Sequence, residues 1–517
     1  MFNIFFVSID VFADGYRVVY DYTFDDDKLI LNGVATNDNG YLVVAVDNFT
    51  SISDIHEISN FMIVKYSNNG VEEWKKTFDF GSISNESLLN IVSVSQFSNN
   101  NYILYSFNKI IVIDELGNTI IEKSADELGL NPIYKGYVIG DRFYGVFADI
   151  QEEKYYLASL DSELNILDRL DMSKDIRNGF GKFFVDKDNN LVIISKNDSS
   201  SIRQLQVYDK DFNLVNTKLI NNTDLNDNGY VYEQFVDGSY LTMIDIDTYS
   251  DESQHFRTHI DYDYYIFDSS LSNKIAKRQF VSGTPNEIDN SIYLYKYFLS
   301  VYKNILYNFN VYDNNLSMID VDYNDDRTAI VYNYLKFDSQ FNELAKINLY
   351  NIPIDDGIGL SHYSSQPDIF KEYIFNLVIH LKDGSDVALV NFGNDGYRGR
   401  HIKISNRYYA TNISEDTSVS FDAVSYLPGD TVKMQLRQKD GYYIDKVIVR
   451  DATGKIIPVD LKNQTFVMPD SDVTVEVQYK KIEQVKTGIL ASIILSLMAL
   501  GIIRFSSIKY FKKRTVN

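Results

Sequence analysis

In the stretch Ile113-Asp114-Glu115-Leu116-Gly117-Asn118, an apolar run ends in an aspartate, three turn residues and an asparagine. Asp and Asn side chains close tight turns by hydrogen bonding the backbone a few residues on, and the flanking runs are rich in β-branched and aromatic residues. The stretch therefore reads as a hairpin turn. It recurs as Leu160-Asp161-Ser162-Glu163-Leu164-Asn165, Tyr208-Asp209-Lys210-Asp211-Phe212-Asn213, Phe267-Asp268-Ser269-Ser270-Leu271 and Phe337-Asp338-Ser339-Gln340-Phe341-Asn342. Tyr66-Ser67-Asn68-Asn69-Gly70 is a variant, and Phe392-Gly393-Asn394-Asp395-Gly396 reads as a seventh copy that departs from the pattern.

A second hairpin signal precedes each copy: Asn39-Gly40, Asn99 to Asn101, Gly140-Asp141, Asp188 to Asn190, Asp237-Gly238, Lys303-Asn304 and Asp383-Gly384. Two hairpins make about four strands per unit. Four strands at a period slightly above ~45 residues is the arithmetic of a β-propeller blade. A solenoid of stacked units is the rival, but it would need capping repeats, and none stands out. Tyr16 to Phe24 can supply the strand that completes the last blade. The expected fold class is all-β: a β-propeller of about seven blades over 16–404, a small β-rich repeat module over 405–480 and one C-terminal transmembrane helix.

Longer spacings mark insertions at 47–60, 245–262 and 310–328, between the second and third strands of their blades. Such connections share one face, which makes that face the expected ligand surface. Two insertions are acidic, with Asp245, Asp247, Asp251, Glu252, Asp261 and Asp263 in one and Asp320, Asp322, Asp325 and Asp326 in the other.

From Arg407 to Lys480 the pattern changes to Pro428-Gly429-Asp430, then Asp440-Gly441-Tyr442-Tyr443, then Phe466-Val467-Met468-Pro469-Asp470 leading to Asp472-Val473. This order resembles the bacterial surface repeat domain related to the internalin-type B repeat. The resemblance implies a small all-β module serving as a stalk on cell surfaces. Period-2 alternation in Thr474-Val475-Glu476-Val477 supports strands independently.

The 517-residue chain has a formal charge of −23, which disfavours nucleic acid and anionic membrane surfaces as partners. It has no cysteine, so no disulfide supports it. Phe2 to Ala13 reads as the apolar region of a truncated signal peptide (1–13), interrupted by Asp10. After a linker (481–486), Thr487 to Ile503 is an uncharged apolar run, about 25 Å long as a helix. With the next turn it gives an expected span at 487–508. Arg504, Lys509, Lys512, Lys513 and Arg514 would stop it and keep the tail (509–517) cytoplasmic. Gln484-Val485-Lys486-Thr487-Gly488 resembles a sortase recognition pentapeptide, with Val485 in place of the usual proline. The resemblance implies cleavage after Thr487 and linkage to the cell wall. Permanent membrane anchoring is the alternative, and the ectodomain lies outside the cell in both.

No catalytic or cofactor-binding residues emerge. His255 and His259 have an i, i+4 spacing, but the surrounding stretch reads as a strand, where that spacing separates them by about 13 Å. Asp224, Asn226 and Asn228, followed by Gly229, match the start of a calcium loop. The twelfth position, however, is Phe235 where a glutamate is needed. The match is a weak candidate for calcium against an ordinary turn. The expected function is a non-catalytic bacterial cell-surface binding or adhesion protein with a glycan or protein ligand. The alternatives are an extracellular polysaccharide hydrolase or lyase and an envelope-structural protein.

Overall fold

The computed structural model describes residues 15–24, 28–47, 58–82, 92–133, 136–173, 182–196, 202–220, 222, 225, 229–251, 256–283, 309–323, 329–353, 377–392, 398–414, 418–423 and 425–482. The chain divides into two compact units, Met1–Asn406 and Arg407–Asn517.

In the first unit the described strands form seven sheets, each with a four-strand antiparallel path. Six are consecutive in sequence: blade 1 (28–79), blade 2 (93–124), blade 3 (131–171), blade 4 (182–219), blade 5 (229–283) and blade 6 (309–353). Blade 7 takes three strands from Leu377–His380, Asp386–Phe392 and Arg398–Ser405. Its fourth, outermost strand is Arg17–Thr23, paired antiparallel with Arg398–Ser405. The N-terminal strand thus completes the last blade.

Each blade packs its apolar faces on both neighbours. Blades 1 and 2 share Phe61, Leu42, Tyr102 and Ile113. The next interfaces hold Ile103 with Phe143, Tyr144 with Phe183, Phe184 with Phe267, and Leu241 with Leu316. Tyr332 meets Ile402 between blades 6 and 7. Ile30 and Val43 meet Ile379 and Leu389 between blades 7 and 1, which closes the ring. Central strands are apolar on both faces because each face meets a neighbouring blade.

The repeated aspartate turn joins the third and fourth strands of its blade. Asp114 Oδ1 accepts the Leu116 and Asn118 amides at 3.0 and 2.7 Å, and Asn118 Nδ2 donates to Oδ2 at 2.9 Å. Asp161, Asp209, Asp268 and Asp338 do the same in blades 3 to 6. The residue after the second turn position is left-handed, with φ of 57° at Leu164, 60° at Phe212, 55° at Leu271 and 59° at Phe341. That conformation costs a side-chain-bearing residue about 1–2 kcal/mol. Leu164 and Leu271 are fully buried in the interface with the preceding blade, worth about 1.5–3 kcal/mol each, which offsets the strain. In blades 1 and 2 a neighbour fills the space instead. A Cβ at Gly117 would lie 2.9 Å from the Trp74 ring, and one at Gly70 would lie 2.8 Å from Tyr22.

These turns give an acid-stability prediction. Burial opposes the charge on Asp268, but the Ser270 hydroxyl, the Asn273 side chain and backbone amides outweigh it and hold the carboxyl at about 2. Asp114, Asp161 and Asp338 are lowered by the same balance, and Asp209 chiefly by the Asn213 side chain. A depressed folded value stabilises the native state above the unfolded value near ~4, and that contribution is lost as pH falls through the folded value. The thermal midpoint is therefore expected to drop between pH ~4 and ~2. Asp268→Asn should show a shallower drop. An identical drop in the variant would exclude the turn as its cause.

The second unit packs two four-stranded sheets face to face around Val432, Met434, Val449, Phe466, Met468 and Val475. Its closing segment has a physical logic. Phe466, Met468 and Val473 are buried, Asp470 accepts the Tyr408 hydroxyl at 2.5 Å, and Asp472 accepts the Tyr409 amide at 2.8 Å.

The structure corrects four sequence expectations. No helix among the described residues is long and apolar enough to cross a membrane, so the expected C-terminal transmembrane helix is not part of this fold class. Its residues 487–508, the linker residues 483–486, the tail 509–517 and the leader 1–13 lie outside the described residues. The insertions at 245–262 and 310–328 are not loops: most of their described residues extend the strand ladders of blades 5 and 6. In blade 6 the first hairpin turn falls at Asp313-Asn314, between Phe309–Tyr312 and Asn315–Tyr323, rather than at Lys303-Asn304, which lies outside the described residues. Finally, the segment after Phe392 separates the second and third strands of blade 7, not the third and fourth, because the fourth comes from the N-terminus. That is why its spacing broke the pattern.

Candidate functional site

Antiparallel blades put the connections between first and second strands, and between third and fourth, on one face. The remaining connections occupy the other face. On that second face blades 5 and 6 stand out. The middle strands of blade 5, Tyr240–Asp251 and Phe256–Phe267, are 12 residues each, whereas those of blade 2 are 4 and 5. Against the six- to eight-residue middle strands of blades 1, 3, 4 and 7, the four to six extra residues at ~3.3 Å each lengthen the blade 5 ladder by about 13–20 Å. Blade 6 follows with strands of 9 and 10 residues. Asp245, Asp247, Asp251, Asp261 and Asp263 lie in the blade 5 ladder, and Asp320 and Asp322 in that of blade 6. In register, Asp245 pairs with Tyr262 and Asp247 with Ile260.

The opposite face is stitched from blade to blade. Asp383 N donates to Asn39 Oδ1 at 2.9 Å, Ser98 N to Gly140 O at 3.1 Å, and Asp237 N to Asn314 Oδ1 at 2.8 Å. Gln96, which ends the first strand of blade 2, accepts the Asn37 amide of blade 1 at 2.6 Å and donates to its own turn at Asn100 O. Gln234 repeats this in blade 5 with Lys187 and Gly238.

In blade 7 that position is His380, and here the stitching becomes a polar cluster. The ring stacks on Tyr312 of blade 6 with centroids 3.7 Å apart. His380 Nδ1 lies 2.6 Å from Asp386 Oδ1. Asp386 Oδ2 lies 3.0 Å from Lys336 Nζ, accepts the Ser317 hydroxyl at 2.7 Å, and also accepts the Tyr334 hydroxyl. Asp386 is 1% exposed. Burial opposes its charge, but Lys336 and His380 outweigh this and hold it far below the usual carboxylate range. Burial likewise works against the charge on Lys336, and Asp386 outweighs it and raises the amine. Among the described residues Nε2 of His380 has no partner. A carboxylate-oriented imidazole with one open nitrogen is competent for acid–base chemistry. Tyr312, 46% exposed, offers a platform beside it.

Two further buried lysines have carboxylate partners: Lys403 with Asp383 at 2.9 Å, and Lys65 with Asp38 at 2.8 Å. Across the closing interface His401 is 2% exposed, ringed by Tyr20, Tyr22, Phe24, Tyr41 and Tyr66. Tyr41 shares a hydrogen bond with its Nδ1, and the Tyr20 hydroxyl donates to Tyr41 at 3.0 Å. Burial pushes the His401 ring down to about 3.

The residues singled out in the sequence are not brought into one site. Asp224, Asn226 and Asn228 lie outside the described residues, and Gly229 opens the first strand of blade 5. Gln484, Val485, Thr487, Gly488, Arg504, Lys509, Lys512, Lys513 and Arg514 also lie outside them, as does His255. His259 pairs with Thr248 in the blade 5 ladder. The His380 cluster was missed. One signal was available: the Asp383-Gly384 hairpin makes His380 and Asp386 cross-strand partners.

No family model and no curated protein matches the chain. Solved structures with a similar fold include the polysaccharide lyase Uly1, at 8% identity and TM-score 0.43, covering 75% of this chain and 99% of that one. A puromycin hydrolase matches at 8% identity and TM-score 0.38, covering 87% and 66%. The β-propeller domain of the trilobed protease from Pyrococcus furiosus matches at 8% identity and TM-score 0.30, covering 90% and 98%.

Proposed function

We propose that this chain is a non-catalytic bacterial cell-surface binding protein, and that its ligand, a glycan or a protein, docks against the extended hairpins of blades 5 and 6. The observation that carries this reading is the length of those two ladders, whose middle strands are the longest of any blade among the described residues. Aspartate-rich strand extensions on two neighbouring blades, paired as backbone ladders, would form the recognition surface. Display at the cell surface rests on the stalk-like sequence of 407–480, and wall linkage through Thr487 on the resemblance of Gln484–Gly488 alone.

A glycan and protein array probed with the full chain tests the reading. At least one ligand class is expected to bind. The combined variant Asp245→Asn, Asp247→Asn, Asp320→Asn and Asp322→Asn should weaken it at least ~10-fold, a loss of about 1.4 kcal/mol, with unchanged circular dichroism. Undiminished binding by this variant would sink the hairpin assignment.

A second reading, an extracellular polysaccharide hydrolase or lyase, is favoured by one observation: the Asp386-oriented His380 with its open Nε2 beside Tyr312. Turnover of a polysaccharide panel that disappears in His380→Ala would support it.

A further inference from the structure

We infer that the rim where blades 7, 1 and 2 meet is a second interaction surface, separate from the hairpin face, and that its partner is a protein segment with apolar anchors between cationic side chains. The rim is continuous. Tyr22, in the closing strand of blade 7, packs against Gly70. Val71 follows in the same turn and opens the outer edge of blade 1. Three residues on, Trp74 lies across Gly117 of blade 2 and donates its indole N–H to Glu115 O at 2.9 Å. Leu116 sits between Glu115 and Gly117 in that turn.

The apolar side chains here face water. Val71 and Leu116 are each 62% exposed, and Tyr22 is 39% exposed. Trp74, the only tryptophan in the chain, is half-buried beside them. An exposed apolar band with an aromatic anchor is the composition of a protein-binding hot spot.

Charge selects the partner. Glu72, Glu73 and Glu115 stand within the band. Their field is felt nearby: after burial, the Coulombic effects of Asp38, Glu73 and Glu115 raise the Tyr102 hydroxyl. The carboxylates outnumber the nearby amines. Lys65 is buried against both Asp38 and Glu73, Lys76 donates to the neutral Asn118 side chain and keeps its charge, and no lysine among the described residues is paired with Glu115. Lys75 lies 3.9 Å from Glu72. A partner with lysines or arginines flanking leucine-like anchors complements both features.

Trp74 serves as the reporter. The full chain is titrated with three synthetic peptides of equal length, alternating Lys-Leu, Lys-Ser or Glu-Leu, while indole emission is followed. The Lys-Leu peptide is expected to give a saturable change that weakens with salt, and the uncharged variant Leu116→Ser should reduce the affinity at least ~10-fold. Leu116 is exposed, so this variant should keep the parental melting temperature. An equal response to Lys-Ser would mean bulk charge attraction, and an equal response to Glu-Leu would mean apolar adhesion. Either outcome, no response to Lys-Leu, or an undiminished response in Leu116→Ser overturns the inference.

Discussion

Asp386→Asn is expected to destabilise the propeller by about 3–5 kcal/mol, because it leaves the buried Lys336 ammonium without its counter-charge. Asparagine keeps the shape and one acceptor oxygen, so the Ser317 and Tyr334 hydroxyls retain a partner. The loss therefore reports on charge rather than on packing. For a unit of this size the melting midpoint should fall by about 5 °C. The double variant Lys336→Met, Asp386→Asn removes both charges, and it should recover at least half of the loss. The pair bridges blades 6 and 7 beside the apolar interface that Tyr332 and Ile402 share. If Asp386→Asn melts with the parent, the ion pair contributes nothing net and the clasp between these blades is apolar.

Lowering the pH from 6.5 to 4 is expected to cost the native state about 3 kcal/mol through His401 alone. The folded ring is held down at about 3, against an ordinary value near 6.5. Between those values the unfolded chain binds a proton that the native state refuses, so stability rises with pH across this window. About 2.5 units at ~1.36 kcal/mol per unit give the estimate. Denaturant titrations at pH 6.5, 5 and 4 measure it. His401→Gln leaves a side chain that can bond the Tyr41 hydroxyl and cannot titrate. The variant's stability should vary less over this range, whatever its absolute value. Equal slopes in variant and parent would show that His401 is protonated without cost or that the closing interface opens to water. The window lies above that of the turn aspartates, so the two contributions can be separated on one pH axis.

The two residues differ in how legible they were. Strand alternation marks His401 only as one more position in an apolar ladder. Its burial follows from blade 7 packing against blade 1, more than 350 positions away in the chain, where Tyr41 meets it. His380 and Asp386 were closer to visible, since a short hairpin makes them partners. The partner side chains Lys336, Ser317 and Tyr334 come from blade 6, and only the packing of blade 6 on blade 7 brings them in. The acidic insertions were legible as insertions but misjudged as loops. Period-2 patterning through Ile244-Asp245-Ile246-Asp247 is that of a strand, and the ladder simply continues outward.

The sequence alone determined the local chemistry: Asp and Asn close their own turns, so each repeat declares its hairpins, its strand number and its all-β character. It also showed that Tyr16 to Phe24 was a spare strand. The burial of Lys336, Asp386 and His401 was decided by the tertiary structure. It depends on contacts between neighbouring blades, Asp386 with Lys336 between blades 6 and 7 and His401 with Tyr41 between blades 7 and 1, and a turn's own hydrogen bonds carry no information about them. The left-handed Leu164 and Leu271 make the same point: locally they are strained, and only the neighbouring blade's core makes that strain affordable.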